Sequence, residues 1–188
     1  MSYADFYDGP IIAFLKERGI DLSNFDLDID DEDFTIDIEF IVIKSGKYQI
    51  EKEILFDDSG FFDNKKTIHV NVLENENRQR FTIAHELGHA LFEHGPSKRT
   101  ETSKYSPEEL KKERIANQFA ADILMPRKLV EKVLEYIKEN TTIGQKDSIN
   151  NSSIEAARRN IISEAARLMS VSEISLTYRI KNLGIDVI

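Results

Sequence analysis

Two histidines four residues apart, with a glutamate directly after the first, are the residues of this chain best placed to do chemistry: His85-Glu86-Leu87-Gly88-His89. On an α-helix, side chains at i and i+4 lie one above the other, so the two imidazoles can converge on a single metal ion. Glu86, turned about 100° around the axis, falls beside a water at that metal rather than on the metal itself. The spacing therefore separates two ligands from a base, and the chemistry it suits is zinc-assisted hydrolysis, in which Glu86 takes a proton from water and passes it to a leaving amine. The chain has no cysteine, which excludes thiolate ligands and thiol nucleophiles and leaves His, Asp and Glu to complete any site.

Catalytic zinc takes three protein ligands and keeps one position open. No third histidine follows at the spacing of the extended zinc motifs, and Glu113 is the best candidate. On a helix it would share a face with Ala116, Asn117 and Ala120, whose small side chains allow close approach to a neighbour. Glu93, Glu108 and Glu109 are its rivals, the first a turn past His89 and the other two in the opening turn of the next helix, where they serve the cap and the dipole. Four residues could donate to a developing oxyanion: His94, His69, Tyr105 and Asn117. Gly88 in mid-helix costs about 1 kcal/mol relative to alanine, which predicts a neighbouring backbone packed closely against it.

The elements that must carry these residues are legible in the apolar spacing. From Arg78 onward, Phe81, Ala84, Leu87, Gly88 and Leu91 recur at three- and four-residue steps until Gly95-Pro96. Ser106, Pro107 and Glu109 predict a capped helix running to about Leu124; Met125-Pro126 ends it and opens another through Leu129, Val133, Leu134 and Ile137. Upstream, a short helix is expected from about Ile11 to Arg18. Phe34, Ile36, Ile38 and Phe40 alternate with polar residues, and after Ser45-Gly46 the pattern resumes at Tyr48, Ile50 and Ile54, which predicts a hairpin. A further strand is expected at Thr67 to Leu73, as an exposed edge to which an extended peptide could add. The fold class is thus α+β, a small antiparallel sheet packed on the H-E-x-x-H helix with further helices and a helical tail. Residues 1–138 form the expected core domain, 139–153 a polar linker or loop, and 154–188 a helical pair of helix-turn-helix type packed on the core.

Arg78 to His94, RQRFTIAHELGHALFEH, followed by Glu113 to Pro126, ERIANQFAADILMP, resembles the ImmA/IrrE family of zinc metallopeptidases, and the preceding TIHVNV fits the segment that these proteins place before the active helix. The resemblance implies a zincin-like, gluzincin-type core and one zinc ion, with manganese as the alternative metal. It also implies His85 and His89 as ligands, Glu113 as the third ligand and Glu86 as catalytic acid/base. Val171, Ser172, Arg179, Leu183 and Gly184 match an element common at the end of such chains. The substrate class it implies is a helix-turn-helix repressor of a mobile element or stress response, cut at a specific site.

Two readings of another class compete. One is a transcription regulator that binds DNA through residues 160–184; the other is a protein that sequesters a repressor without cutting it. Charge speaks against the first. Residues 154–188 carry five Lys/Arg against four acids, too little to attract a phosphate backbone strongly. The 188-residue chain has a net charge of −9, and residues 1–60 hold sixteen Asp/Glu against five Lys/Arg, densest at Asp26 to Asp33. That front would repel nucleic acid and reads as a solvated acidic loop. With no basic leader and no apolar run of about 18 residues, the expectation is a cytoplasmic protein with a protein substrate and no membrane contact.

Overall fold

The computed structural model describes residues 3–24, 33–63, 65–95, 105–140 and 151–187. Among them are seven α-helices and three strands: α1 (Gly9–Glu17), α2 (Ile38–Lys44), β1 (Gln49–Glu53), β2 (Gly60–Phe62), β3 (Thr67–Asn71), α3 (Glu76–Leu91), α4 (Pro107–Leu124), α5 (Arg127–Asn140), α6 (Asn151–Leu168) and α7 (Glu173–Leu183). The class is α+β, and the helix carrying the two histidines is α3. No helix among the described residues is long and apolar enough to cross a membrane.

The sheet differs from the expected one. Its order is β1-β3-β2, with β1 parallel to β3 and β2 antiparallel to it, so it is mixed rather than antiparallel. The connection between β1 and β2 crosses over and lets β3 enter between them. The Asn71 side chain organises that connection: its amide donates to the carbonyls of Leu55 (2.6 Å) and Asp58 (3.0 Å), and its oxygen accepts from Leu55 N–H (3.3 Å). β3 is therefore the central strand, paired on both sides, and residues 67–71 offer no free edge to a peptide.

The hairpin expected over residues 34–54 is also absent. Asp37 caps a helix instead, its carboxylate accepting from Phe40 N–H at 2.9 Å, and Ile38, Ile41 and Val42 fall on one buried face at i, i+3 and i+4. Phe34 and Ile36 are buried, as their alternation predicts, but their partner lies far along the chain. Phe34 N–H donates to the carbonyl of Leu168 at 3.0 Å, and the Thr35 hydroxyl meets that of Ser170 at 3.0 Å.

The core lies between the sheet and α3 and continues under α4 to the last helices. Ile68 and Val70 of β3, Ile83 and Leu87 of α3, and Ala120 and Ile123 of α4 belong to one buried cluster with Leu168 and Leu176. From Thr82 to His89 every residue of α3 is buried, because packed elements surround this stretch. Arg80 ties it to distant segments, donating to the carbonyls of Ile36 and Ser170. Of the polar stretch 139–153, residues 139–140 close α5 and 151–153 open α6, while 141–150 lie outside the described residues, as do 26–32 of the acidic run and Pro96. Arg179 of α7 donates to the carbonyl of Met125 at 2.8 Å and pairs with Asp122 at 2.6 Å, fastening the tail to the end of α4.

Candidate metal centre

Asn75 starts α3 by accepting from Arg78 N–H at 3.0 Å. Four turns of helix then carry His85 and His89 to the far end, onto one face. Opposite, Ser106 and Glu109 form a full capping box at the start of α4, with bonds of 3.2 and 2.7 Å that fix where Glu113 falls. Gly88 lets the two helices meet: a Cβ there would stand 3.2 Å from the Cα of Ala116 and 3.1 Å from the ring of Phe119. The helices approach closely because Gly88 and Ala116 face each other at that crossing.

The result is a compact donor set. The Nε2 atoms of His85 and His89 lie 3.1 Å apart, and the two Glu113 carboxylate oxygens lie 3.4 and 3.3 Å from them. These three side chains form the group, among the described residues, whose ligand atoms could hold a metal ion. Both histidines are buried and Glu113 is 18% exposed, which leaves one open side. Burial by itself would raise the Glu113 pKa, but hydrogen bonds and positive charge from His85 and His89 outweigh it and hold the carboxyl well below the usual range. The two imidazoles thus favour the ionised form of Glu113.

The donor chemistry fits a divalent ion. His85 Nδ1 lies 2.9 Å from the side-chain oxygen of Asn117, an acceptor, so Nδ1 carries the hydrogen and Nε2 presents its lone pair to the group. Two imidazole nitrogens and one carboxylate are the donor types found in His₂Glu sites of catalytic zinc. Glu86 is fully buried on the same helix, its Oε1 3.9 Å from His85 Nε2, beside the group without joining it.

The four candidate oxyanion donors scatter. His94 stands next to His89, with Nδ1 atoms 3.2 Å apart; burial first, and then the His89 charge, lower its pKa and favour a neutral ring. Asn117 is engaged behind His85 as an orienting acceptor, a role foreshadowed by its position one turn after Glu113. His69 is held on the sheet between Glu53 (2.5 Å) and Asp63 (3.5 Å), stacked on Phe61, and does not join the metal group. Tyr105 precedes the α4 cap, partly buried. Of the rival carboxylates, Glu109 is spent on the capping box and Glu108 pairs with Lys112 at 3.7 Å. Glu93 follows α3 in the left-handed region with φ of 56° and is not in the metal group.

A family model described as the IrrE N-terminal-like domain, of a peptidase family, matches residues 32–181. The match takes in α3, α4 and most of α7. No curated relative matches the chain.

Proposed function

The chain belongs to the ImmA/IrrE family of metallopeptidases, and from that premise we propose that it is a zinc-dependent endopeptidase whose substrate is a helix-turn-helix repressor. In this reading His85, His89 and Glu113 hold the ion and Glu86 is the catalytic acid/base. The observation that carries it is the convergence of two imidazole nitrogens and a carboxylate within 3.4 Å, with a second, fully buried carboxylate alongside.

Bound in that set, zinc supplies Lewis acidity toward the scissile carbonyl and lowers the pKa of water toward about 7. Glu86 accepts the proton of the attacking water as its oxygen bonds to the carbonyl carbon. It then gives that proton to the amine nitrogen as the C–N bond breaks. Asn117 keeps His85 in the ligating tautomer. Burial of α3 keeps Glu86 in place and out of bulk solvent.

The tail supports a protein-facing role over DNA reading. Arg167 is paired with Glu164 at 2.7 Å and Arg179 is buried against Asp122, so two of the five cations of residues 154–188 are already neutralised. Glu86→Gln is the decisive variant. With zinc bound, it should leave metal content unchanged and lower repressor cleavage by about 10²- to 10⁴-fold. Relief of repression that persists in Glu86→Gln would mean sequestration instead, and loss of metal in the same variant would assign Glu86 to the ligand set.

A further inference from the structure

Beside the metal group a groove of about 400 Å³ opens between α4 and α7. Arg114, Asn117, Gln118 and Ala121 stand at i, i+3, i+4 and i+7 and line it from one face of α4. Ser175, Tyr178 and Asn182 line it from α7, and Phe81 and Met125 add apolar surface. The groove adjoins the metal group on the Nδ1 side of His85 without including its ligand atoms: Asn117 bonds His85, the Phe81 ring lies 6.4 Å from the His85 ring, and Arg114 directly follows Glu113.

Its charge is opposite to that of the chain. Among the described residues no carboxylate lines it, although the protein carries −9 overall. Of its two guanidinium groups, Arg179 is buried and paired with Asp122, whereas Arg114 is exposed and has no carboxylate partner among the described residues. Next to it α7 exposes Ile174 and Tyr178, 71% and 65% accessible and one turn apart. An apolar strip beside one unpaired cation matches a polypeptide with an acidic residue in an apolar segment better than a run of phosphates.

We propose that this groove is the substrate channel, in which an extended polypeptide sets an acidic side chain on Arg114 and an apolar one among Phe81, Met125 and Tyr178. The assignment rests on the peptidase reading above. Volume and composition suit it, since clefts of this size accept several side chains and use a few polar groups to fix register.

The test uses the full chain loaded with zinc and a degenerate decapeptide library, with products sequenced by mass spectrometry. Cut peptides should be enriched about fivefold in Asp or Glu at one fixed distance from the cleaved bond. Arg114→Glu should reverse that preference toward Lys or Arg. In parallel, a photoreactive acidic decapeptide on zinc-loaded Glu86→Gln should label Met125 or Tyr178. Cleavage without a charge preference, or a preference that survives Arg114→Glu, overturns the channel while leaving the peptidase reading intact. So does labelling of the groove that a random single-stranded oligonucleotide displaces and an acidic peptide does not. A library left uncut by protein that cleaves a repressor overturns the channel alone, and failure to cut either removes the peptidase reading and the channel with it.

Discussion

The Nδ1 of His85 and the side-chain oxygen of Asn117 lie 2.9 Å apart, and Asn117 stands one turn after Glu113 on α4. One helix thus offers a carboxylate to the candidate metal group and orients an imidazole on the other. Replacing Asn117 with alanine frees the His85 ring to rotate and to take the other tautomer. Zinc affinity should fall by about 10- to 100-fold, with little change in stability because Asn117 is exposed. Asn117→Asp keeps an acceptor and should retain most of the affinity. Competition with a chromophoric chelator measures both, and an alanine variant that binds zinc like the parent would remove Asn117 from the site.

Arg179 fastens α7 to the end of α4, and it does so from a buried position. Its Nε satisfies the Met125 carbonyl at 2.8 Å and its charge meets Asp122 at 2.6 Å. Arg179→Met keeps much of the volume but strands the carbonyl and the carboxylate. Asp122 is 36% exposed and can turn to water, so the loss should be about 2 kcal/mol rather than the full cost of an orphaned buried charge. Urea denaturation would show it. A cost below about 0.5 kcal/mol would mean that packing of Leu176 and Ile180 holds the helix without this arginine.

The metal helix was legible because two independent signals coincide there, H-E-x-x-H spacing and apolar period. The α4 cap was equally plain, since Ser106, Pro107 and Glu109 act locally and need no tertiary partner. Residues 34–40 misled for a physical reason. Phe34 and Ile36 alternate because they bury in an extended segment against the α6–α7 turn, more than a hundred residues away, and Asp37 then starts a helix within the same apolar run. Local period cannot show which partner a strand-like segment meets, or that β3 would enter between β1 and β2. Asn117 was singled out for its amide; its place behind His85 follows from the distance between α3 and α4, which only packing sets.

Glu113 gives the metal-free protein a pH signature. Burial opposes its ionisation, but the His85 and His89 imidazoles outweigh that and depress its pKa. A carboxyl whose folded pKa is depressed stabilises the fold above its unfolded value, here 4.5, and that contribution is lost as pH falls through the folded value. With metal chelated, Glu113→Gln should therefore lower the melting temperature at pH 6 and by less and less as the pH falls below 4.5. A gap that widens as the pH falls from 6 to 3 would contradict the pairing.

Gly88 sets the distance between the ligands more than it sets stability. An alanine Cβ there would meet the Ala116 Cα at 3.2 Å and the Phe119 ring at 3.1 Å. The ring can shift; the backbone of α4 can give way only by moving the whole helix a few tenths of an ångström. Overpacking of that kind costs about 1–3 kcal/mol, and the gain in helix propensity returns about 1, so the net loss of stability should be small. Metal geometry is less forgiving, since ligand distances tolerate only about 0.2 Å, and His85 and His89 are on one helix while Glu113 is on the other. Gly88→Ala should accordingly lower zinc affinity by about tenfold or more while the melting temperature falls by only a few degrees. Phe119→Leu added to it should not restore binding, because the Ala116 backbone remains in the way. If zinc affinity holds while stability drops, the crossing of α3 and α4 is not what positions Glu113, and the donor set owes its spacing to the Ser106 cap instead.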